Sequence, residues 1–162
     1  MQKLRLEVAK LHKEQTDLTK EPYIYHLLRV EHFSSIIINN INKHPDFNIN
    51  DNLKEMVRIT SLLHDSIEDC AHLMDDIDEY LKRIIYKNTN IKDDHDINII
   101  IQSIKLLTKD ENDKENYIAH LLKLNEYKNN SNINPFDDLS LKSAIIVKYA
   151  DTLDNMNYVR LS

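Results

Sequence analysis

Ile59-Thr60-Ser61-Leu62-Leu63-His64-Asp65-Ser66-Ile67-Glu68-Asp69-Cys70 is the stretch around which this chain organises itself. Turned through the roughly 100° per residue of a helix, it gathers Ile59, Leu62, Leu63, Ile67 and Cys70 on one face. His64, Asp65, Glu68 and Asp69 fall on the opposite face. Asp65 and Asp69 then stand one turn apart, a like-charge pair that weakens an isolated helix by about 0.2–0.5 kcal/mol. Two arrangements accommodate such a face: full solvation, or a cation lying on it. Imidazole beside carboxylates suits a divalent metal of intermediate hardness, such as manganese, iron or zinc.

The totals narrow the setting. A chain of 162 residues is expected to form one domain over residues 1–162, with enough interior for a real core. Hydrophobic residues make up 41 % and charged residues 30 %, the composition of a globular and not a disordered chain. There is no glycine and there are only three prolines. Tight hairpins depend on residues that accept positive φ, so the composition argues against a sheet-rich fold. Asparagine is expected to serve the left-handed and capping positions instead. The formal charge of −6 argues against a nucleic-acid surface but not against a small phosphorylated substrate, whose charge a metal and a few lysines can neutralise. Cys70 is the single cysteine, so no intramolecular disulfide forms. The first residues lack the apolar core of a signal peptide, and no apolar run approaches the ~18 residues that span a bilayer. A cytoplasmic protein that makes no membrane contact is the expectation.

Helical spacing of apolar residues recurs along the chain. It predicts helices over 2–16, over 23–40 after the break at Pro22, and from Asn52 through the His64-Asp65 stretch, with Asn52 and Glu55 spaced as a capping box. Further helices are expected over 73–87, 97–107 and 114–128, the last capped by Asp113, with loops at 41–51, 88–96 and 129–138. The final helix, from about Leu139, is the most apolar and is expected to be central. All of this describes an all-α, compact multi-helix bundle.

That last helix carries one polar stripe. Lys148, Asp151 and Asn155 are spaced i, i+3, i+7 and share a side. A carboxylate among apolar neighbours costs several kcal/mol unless it meets a cation or hydrogen-bond donors. The stripe is therefore either the wet edge of a surface helix or a built polar site. Asp154 lies off it and is expected to be solvated. His12, His32, His44, His72, His95 and His120 have no partner pattern and read as structural or surface residues.

Taken in order, His26, His64-Asp65 and Asp151 resemble the ligand series of the HD-domain metal-dependent phosphohydrolases: one histidine, an adjacent His-Asp pair and a distant aspartate. His12-x-x-Gln15-x-Asp17 and Pro22-Tyr23-Ile24-x-His26-x-x-Arg29-Val30 resemble the family's opening segment. Leu63-His64-Asp65-Ser66-Ile67-Glu68-Asp69 is similar to the Leu-His-Asp-x-x-Glu-Asp signature of the RelA/SpoT-type (p)ppGpp hydrolase branch. Leu107-Thr108-Lys109 and Lys148-Tyr149-Ala150-Asp151-x-Leu153-x-Asn155-Met156 resemble its later segments, so the likeness is spread over residues 12–156. It implies an HD-type fold and a single metal ion, manganese, held by His26, His64, Asp65 and Asp151. It further implies Glu68 and Asp69 as catalytic carboxylates and Asn155 as a contact to the nucleoside, with Lys148 supporting the metal helix or reaching phosphate. The implied reaction is removal of pyrophosphate from a (p)ppGpp-like alarmone, a small-molecule nucleotide substrate.

The chain also departs from that pattern. Asp17 and Leu18 stand where the alarmone hydrolases carry an Arg-Lys pair that grips the guanine nucleotide. Lys20 replaces a loop glycine, Leu27 a proline, and Thr152 and Asp154 an arginine and a histidine. These changes leave open a nucleotidase or phosphatase of other specificity, a nucleotide-binding module without turnover, and a purely structural helical protein.

Overall fold

The computed structural model describes residues 1–43, 49–109 and 135–159. The helix expected over 114–128 with its cap Asp113, and the centres of the loops expected at 41–51 and 129–138, lie outside the described residues, as do His44 and His120. Within them the regular structure is helical: α1 (Gln2–Leu11), α2 (Ile24–Ile41), α3 (Asp51–Leu63), α4 (Ser66–Cys70), α5 (Ile77–Asn88), α6 (Asp94–Leu107) and α7 (Pro135–Val159), with a 3₁₀ turn at Ala71–Leu73. An isolated bridge between Thr16 and Pro22 is the sole extended pairing among the described residues, and the fold is all-α as the composition predicts.

Capping chemistry sets the helix starts and moves several of them from their predicted positions. Asn50, with the extended backbone a cap requires, accepts from Leu53 N at 2.8 Å and opens α3. Asn52 is already in the first turn, where its amide donates to Asp96 Oδ2 at 3.0 Å, so the expected Asn52–Glu55 box does not form. Asp76 caps α5 through Glu79 N at 3.0 Å, which starts that helix at Ile77 and not at 73. Asp93 caps α6 through His95 N at 2.9 Å and Asp96 N at 3.3 Å, shortening the loop expected at 88–96. α1 ends at Leu11, five residues early, because the following segment folds on itself: Tyr23 N donates to Gln15 O at 3.1 Å and Asp17 N to Glu21 O at 2.8 Å.

The long helix expected through the His64-Asp65 stretch is broken. α3 ends at Leu63, His64 and Asp65 form a turn, and α4 restarts at Ser66. Of the two arrangements open to that face, full solvation is ruled out for His64, which is 3 % exposed. The cause is enclosure, since α3 packs against α2, α6 and α7 at once. Thr60, Ser61, Leu62 and Leu63 are all buried, so no side of the last turn of α3 reaches water.

α2, α3, α6 and α7 form the centre of the bundle, and α5 closes it against α6 and α1. Met56, Ile59, Leu62 and Leu63 of α3 meet Ile97, Ile100 and Ile104 of α6 and Leu81 and Ile85 of α5. On the other side Val30, Val57, Ala144, Val147 and Ala150 join α2, α3 and α7. With no glycine to let helices approach, serine and threonine line the crossings. Ser61 Oγ lies 2.9 Å from Ser34 Oγ, and Ser143 Oγ donates to Thr60 Oγ1 at 3.2 Å. Buried Glu31 ties α1, α2 and α3 together, taking the guanidinium groups of Arg5 at 2.9 and 3.0 Å and of Arg58 at 3.0 and 3.1 Å. No helix among the described residues is long and apolar enough to cross a membrane.

Asparagine does not fill the left-handed positions among the described residues; Lys20 alone has positive φ, at 67°. A side chain with a Cβ pays roughly 1–2 kcal/mol in that region. Lys20→Gly is expected to stabilise the protein by about 1 kcal/mol, read as a raised midpoint in urea unfolding.

Candidate metal centre

Three helices converge on one point. His26 comes from the first turn of α2, His64 from the end of α3 and Asp151 from the middle of α7, and one ligand atom from each lies within 4.8 Å of the others. His26 Nε2 is 3.6 Å and His64 Nε2 is 3.9 Å from Asp151 Oδ1. Asp65, in the turn after α3, sets its Oδ2 2.9 Å from His64 Nε2 and 3.7 Å from His26 Nε2. The four residues implied as ligands thus share one neighbourhood, three as a mutually close set and Asp65 beside both imidazoles.

The ring orientations are those a metal needs. His64 Nδ1 faces the Ser61 carbonyl at 2.9 Å, so it carries the proton and donates. His64 Nε2 is buried and aimed at the carboxylates, with Asp65 Oδ2 2.9 Å away and Asp151 Oδ1 3.9 Å away. His26 Nδ1 donates to Asp154 Oδ2 at 2.8 Å, which turns its Nε2 toward the same point. A divalent ion suited to imidazole and carboxylate fits this donor set: two nitrogens and a carboxylate with a second carboxylate adjacent, their far sides held by hydrogen bonds.

Charge is balanced around the cluster. Burial opposes charging the His64 imidazole, yet Asp65 and Asp151 outweigh it and raise its pKa to about 9. Burial likewise works against the Asp65 carboxylate, but His64, His26 and the Tyr23 hydroxyl, which donates to Oδ2 at 2.6 Å, hold it well below the usual range. Burial and then Asp65 push the Tyr23 phenol upward, so it stays a donor. Asp151 also takes Lys148 Nζ at 2.9 Å on Oδ2 and Asn155 Nδ2 at 2.8 Å on Oδ1. Both residues expected to touch substrate are therefore directed at Asp151.

A cavity of about 320 Å³ opens beside the cluster, lined by the four implied ligands together with Glu68, Asp69, Lys109, Lys148, Asn155, Leu18 and Tyr23 among others. Two larger surface hollows, between α5 and α6 and over Arg5 and Arg58, touch none of these groups. Glu68 and Asp69 ride on α4 at the cavity wall. Burial first, then Asp65 and Glu68, raise the Asp69 pKa to about 6.

One expectation is overturned here. Asp154 is not solvated: it is 1 % exposed, with Arg29 Nε 2.7 Å from its Oδ1. On α7 it lies about 60° from Asp151, on the side that faces α2, whereas Asn155 lies about 40° away on the other. The signal was present in the spacing. His26 and Arg29 are i, i+3 on one helix and Asp151 and Asp154 are i, i+3 on the other, matched partners that a single-helix reading treats separately. His12, expected to be structural or on the surface, is buried behind the site, stacked on Tyr23 at 5.2 Å between ring centres and bonded to Gln15.

Comparison with family models, with curated proteins and with solved structures finds no match to this chain.

Because a metal takes only the neutral imidazole, an ion entering at pH 7 must displace the proton that His64 holds up to about pH 9. Apparent affinity for a divalent ion is expected to rise by about tenfold per pH unit from 7 toward 9 and then level off for this group. Calorimetry in buffers of different ionisation enthalpy should count close to one proton released at pH 7.

Proposed function

We propose that this protein is an HD-type, metal-dependent hydrolase that cleaves a phosphate or pyrophosphate ester of a nucleotide, with manganese as the ion. The observation that carries this reading is the meeting of buried His64 Nε2 with His26 Nε2 and Asp151, Asp65 alongside, beside an open cavity. A divalent ion at such a place supplies Lewis acidity and lowers the pKa of water enough for attack at neutral pH.

The chain's own residues would do the rest. Glu68 and Asp69 stand at the cavity wall, where one aligns the attacking water and the other takes its proton. Asp69, raised to about 6, is ionised at neutral pH yet basic enough to accept that proton. Lys109 and Lys148 bring positive charge to the cavity, matching the phosphates of a nucleotide. Asn155, at the cavity edge, is the residue the family resemblance assigns to the nucleoside. Water adds to phosphorus as the ester oxygen leaves with a proton; with a (p)ppGpp-like alarmone the products are GDP or GTP and pyrophosphate. A cytoplasmic site of action accords with such a substrate.

A second reading concerns the base. Asp17, which stands in place of the family's Arg-Lys pair with Leu18, spends its Oδ2 on Arg29 at 2.9 Å, and Leu18 is 76 % exposed at the cavity. Neither offers a cation to guanine. That favours a nucleotidase or phosphatase acting on another nucleotide over a strict alarmone hydrolase.

Incubating manganese-loaded protein with (p)ppGpp and a panel of ribo- and deoxynucleotides, with products separated by chromatography, tests both readings. His64→Ala and Asp151→Asn should each lose bound metal and turnover together. Glu68→Gln should keep the metal and lose about 10²–10⁴ in kcat. Tight nucleotide binding without any product would reject hydrolysis, and a fully active Glu68→Gln would reject the role given to that carboxylate.

A further inference from the structure

The imidazole that α2 contributes to the centre is held from behind, and what holds it reaches the cavity rim. Asp154 Oδ2 accepts from His26 Nδ1 at 2.8 Å. Arg29 grips the same carboxylate through Nε at 2.7 Å and Nη2 at 3.2 Å, and its Nη2 also reaches Asp17 Oδ2 at 2.9 Å. The other oxygen of Asp17 accepts from Thr19 Oγ1 at 2.6 Å, Thr19 N at 2.9 Å and Glu21 N at 3.2 Å. These bonds run without a gap from the ring of His26 to the loop of residues 16–22, whose Thr16, Asp17 and Leu18 line the cavity.

We propose that Asp154 is a positioning residue for His26, and that Arg29 couples this hold to the 16–22 loop, so that the rim and the metal ligand settle into place together. The proposal rests on the metal-centre reading above. A carboxylate that accepts from the far nitrogen of a ligating histidine fixes the ring's rotation, keeps the proton on Nδ1 and makes Nε2 a better donor to an ion. Asp154 can do this only while its own charge is compensated, because a carboxylate 1 % exposed is costly without a cation. Arg29 supplies that cation, and its planar fork lets one guanidinium serve two carboxylates at fixed angles. The two imidazoles differ in this respect. His64 is oriented by the Ser61 carbonyl of its own helix, which is indifferent to the loop, whereas His26 is oriented by a group that the loop helps to hold. By reciprocity, whatever orders the rim tightens the ion, and the ion orders the rim.

The test uses the full chain and three readouts. The first is the solvent exchange of the His26 Nδ1–H proton by NMR in metal-free protein. The second is manganese affinity by calorimetry, and the third is amide exchange at Thr19 and Glu21. Asp154→Asn keeps the shape and a neutral acceptor; it should speed exchange of the His26 proton and weaken manganese binding about 10- to 100-fold. Asp17→Asn leaves Asp154 and its bond to His26 untouched, so it survives even where Asp154 variants fold poorly. It should speed exchange at Thr19 and Glu21 and weaken manganese several-fold, and Arg29→Lys should fall between the two. A folded Asp154→Asn that binds manganese as the parent does, with the His26 proton still protected, overturns the positioning role. An Asp17→Asn chain with a loosened loop and unchanged affinity overturns the coupling. A parent chain that takes up no manganese overturns the metal reading itself, an outcome distinct from variants that bind as well as a binding parent.

Discussion

Two carboxylates on α7 are taken out of water, Asp151 at 7 % and Asp154 at 1 % exposure, and the pairing of helices follows from the need to compensate them. Stripping water from a carboxylate costs several kcal/mol unless cations or donors replace it. α2 meets that demand with His26 and Arg29, α3 with the ring of His64 at its end, and α7 itself with Lys148 and Asn155. A shift of one residue between α2 and α7 would part the contacts of His26 and Arg29 with these carboxylates, so the apolar packing of Val30 against Ala144 and Val147 is tied to one register. On the opposite flank of α2, buried Glu31 is met in the same way by Arg5 and Arg58. α2 is thus pinned by charge on two sides, and the first turn that carries His26 has little freedom to wander.

How much of this could be read from the sequence divides along a physical line. Helical class, the central place of the last helix and the approximate extents of α2, α6 and α7 follow from apolar spacing, which is a property of one helix at a time. The break at His64-Asp65 does not, because the stretch continues a helical pattern and only enclosure by α2, α6 and α7 makes the end of α3 buried on every side. Helix starts moved by two to four residues wherever a neighbouring Asn or Asp proved a better cap, as at Asn50 and Asp76. The gathering of His26, His64, Asp65 and Asp151 was anticipated through an ordered likeness to a family, not through spacing. Asp154 was misread because its burial is decided by α2, 125 residues away in the chain from Arg29.

A chain without glycine pays for tight geometry in a few visible places. Its helices close on one another through Ser34, Thr60, Ser61 and Ser143, whose hydroxyls bond within the crossings and leave few polar atoms stranded. The single left-handed residue among those described, Lys20, sits in the loop that Asp17 staples together. Strain at that loop and the bonds of Asp17 are two sides of one arrangement, since the carboxylate's three donors hold a turn the backbone would otherwise relax.

Division of labour between elements is the remaining feature with consequences. Donors that would hold an ion belong to α2, to the end of α3 and to α7, while Glu68 and Asp69 belong to α4, five residues long and too short to persist without its neighbours. In the proposed reading, anchor and tool are mounted on separate supports. Under that reading, drift in the small mount would alter the chemistry beside a captured cation, or silence it, while capture survives; descendants of such a scaffold would part company in reaction long before they part company in mineral appetite.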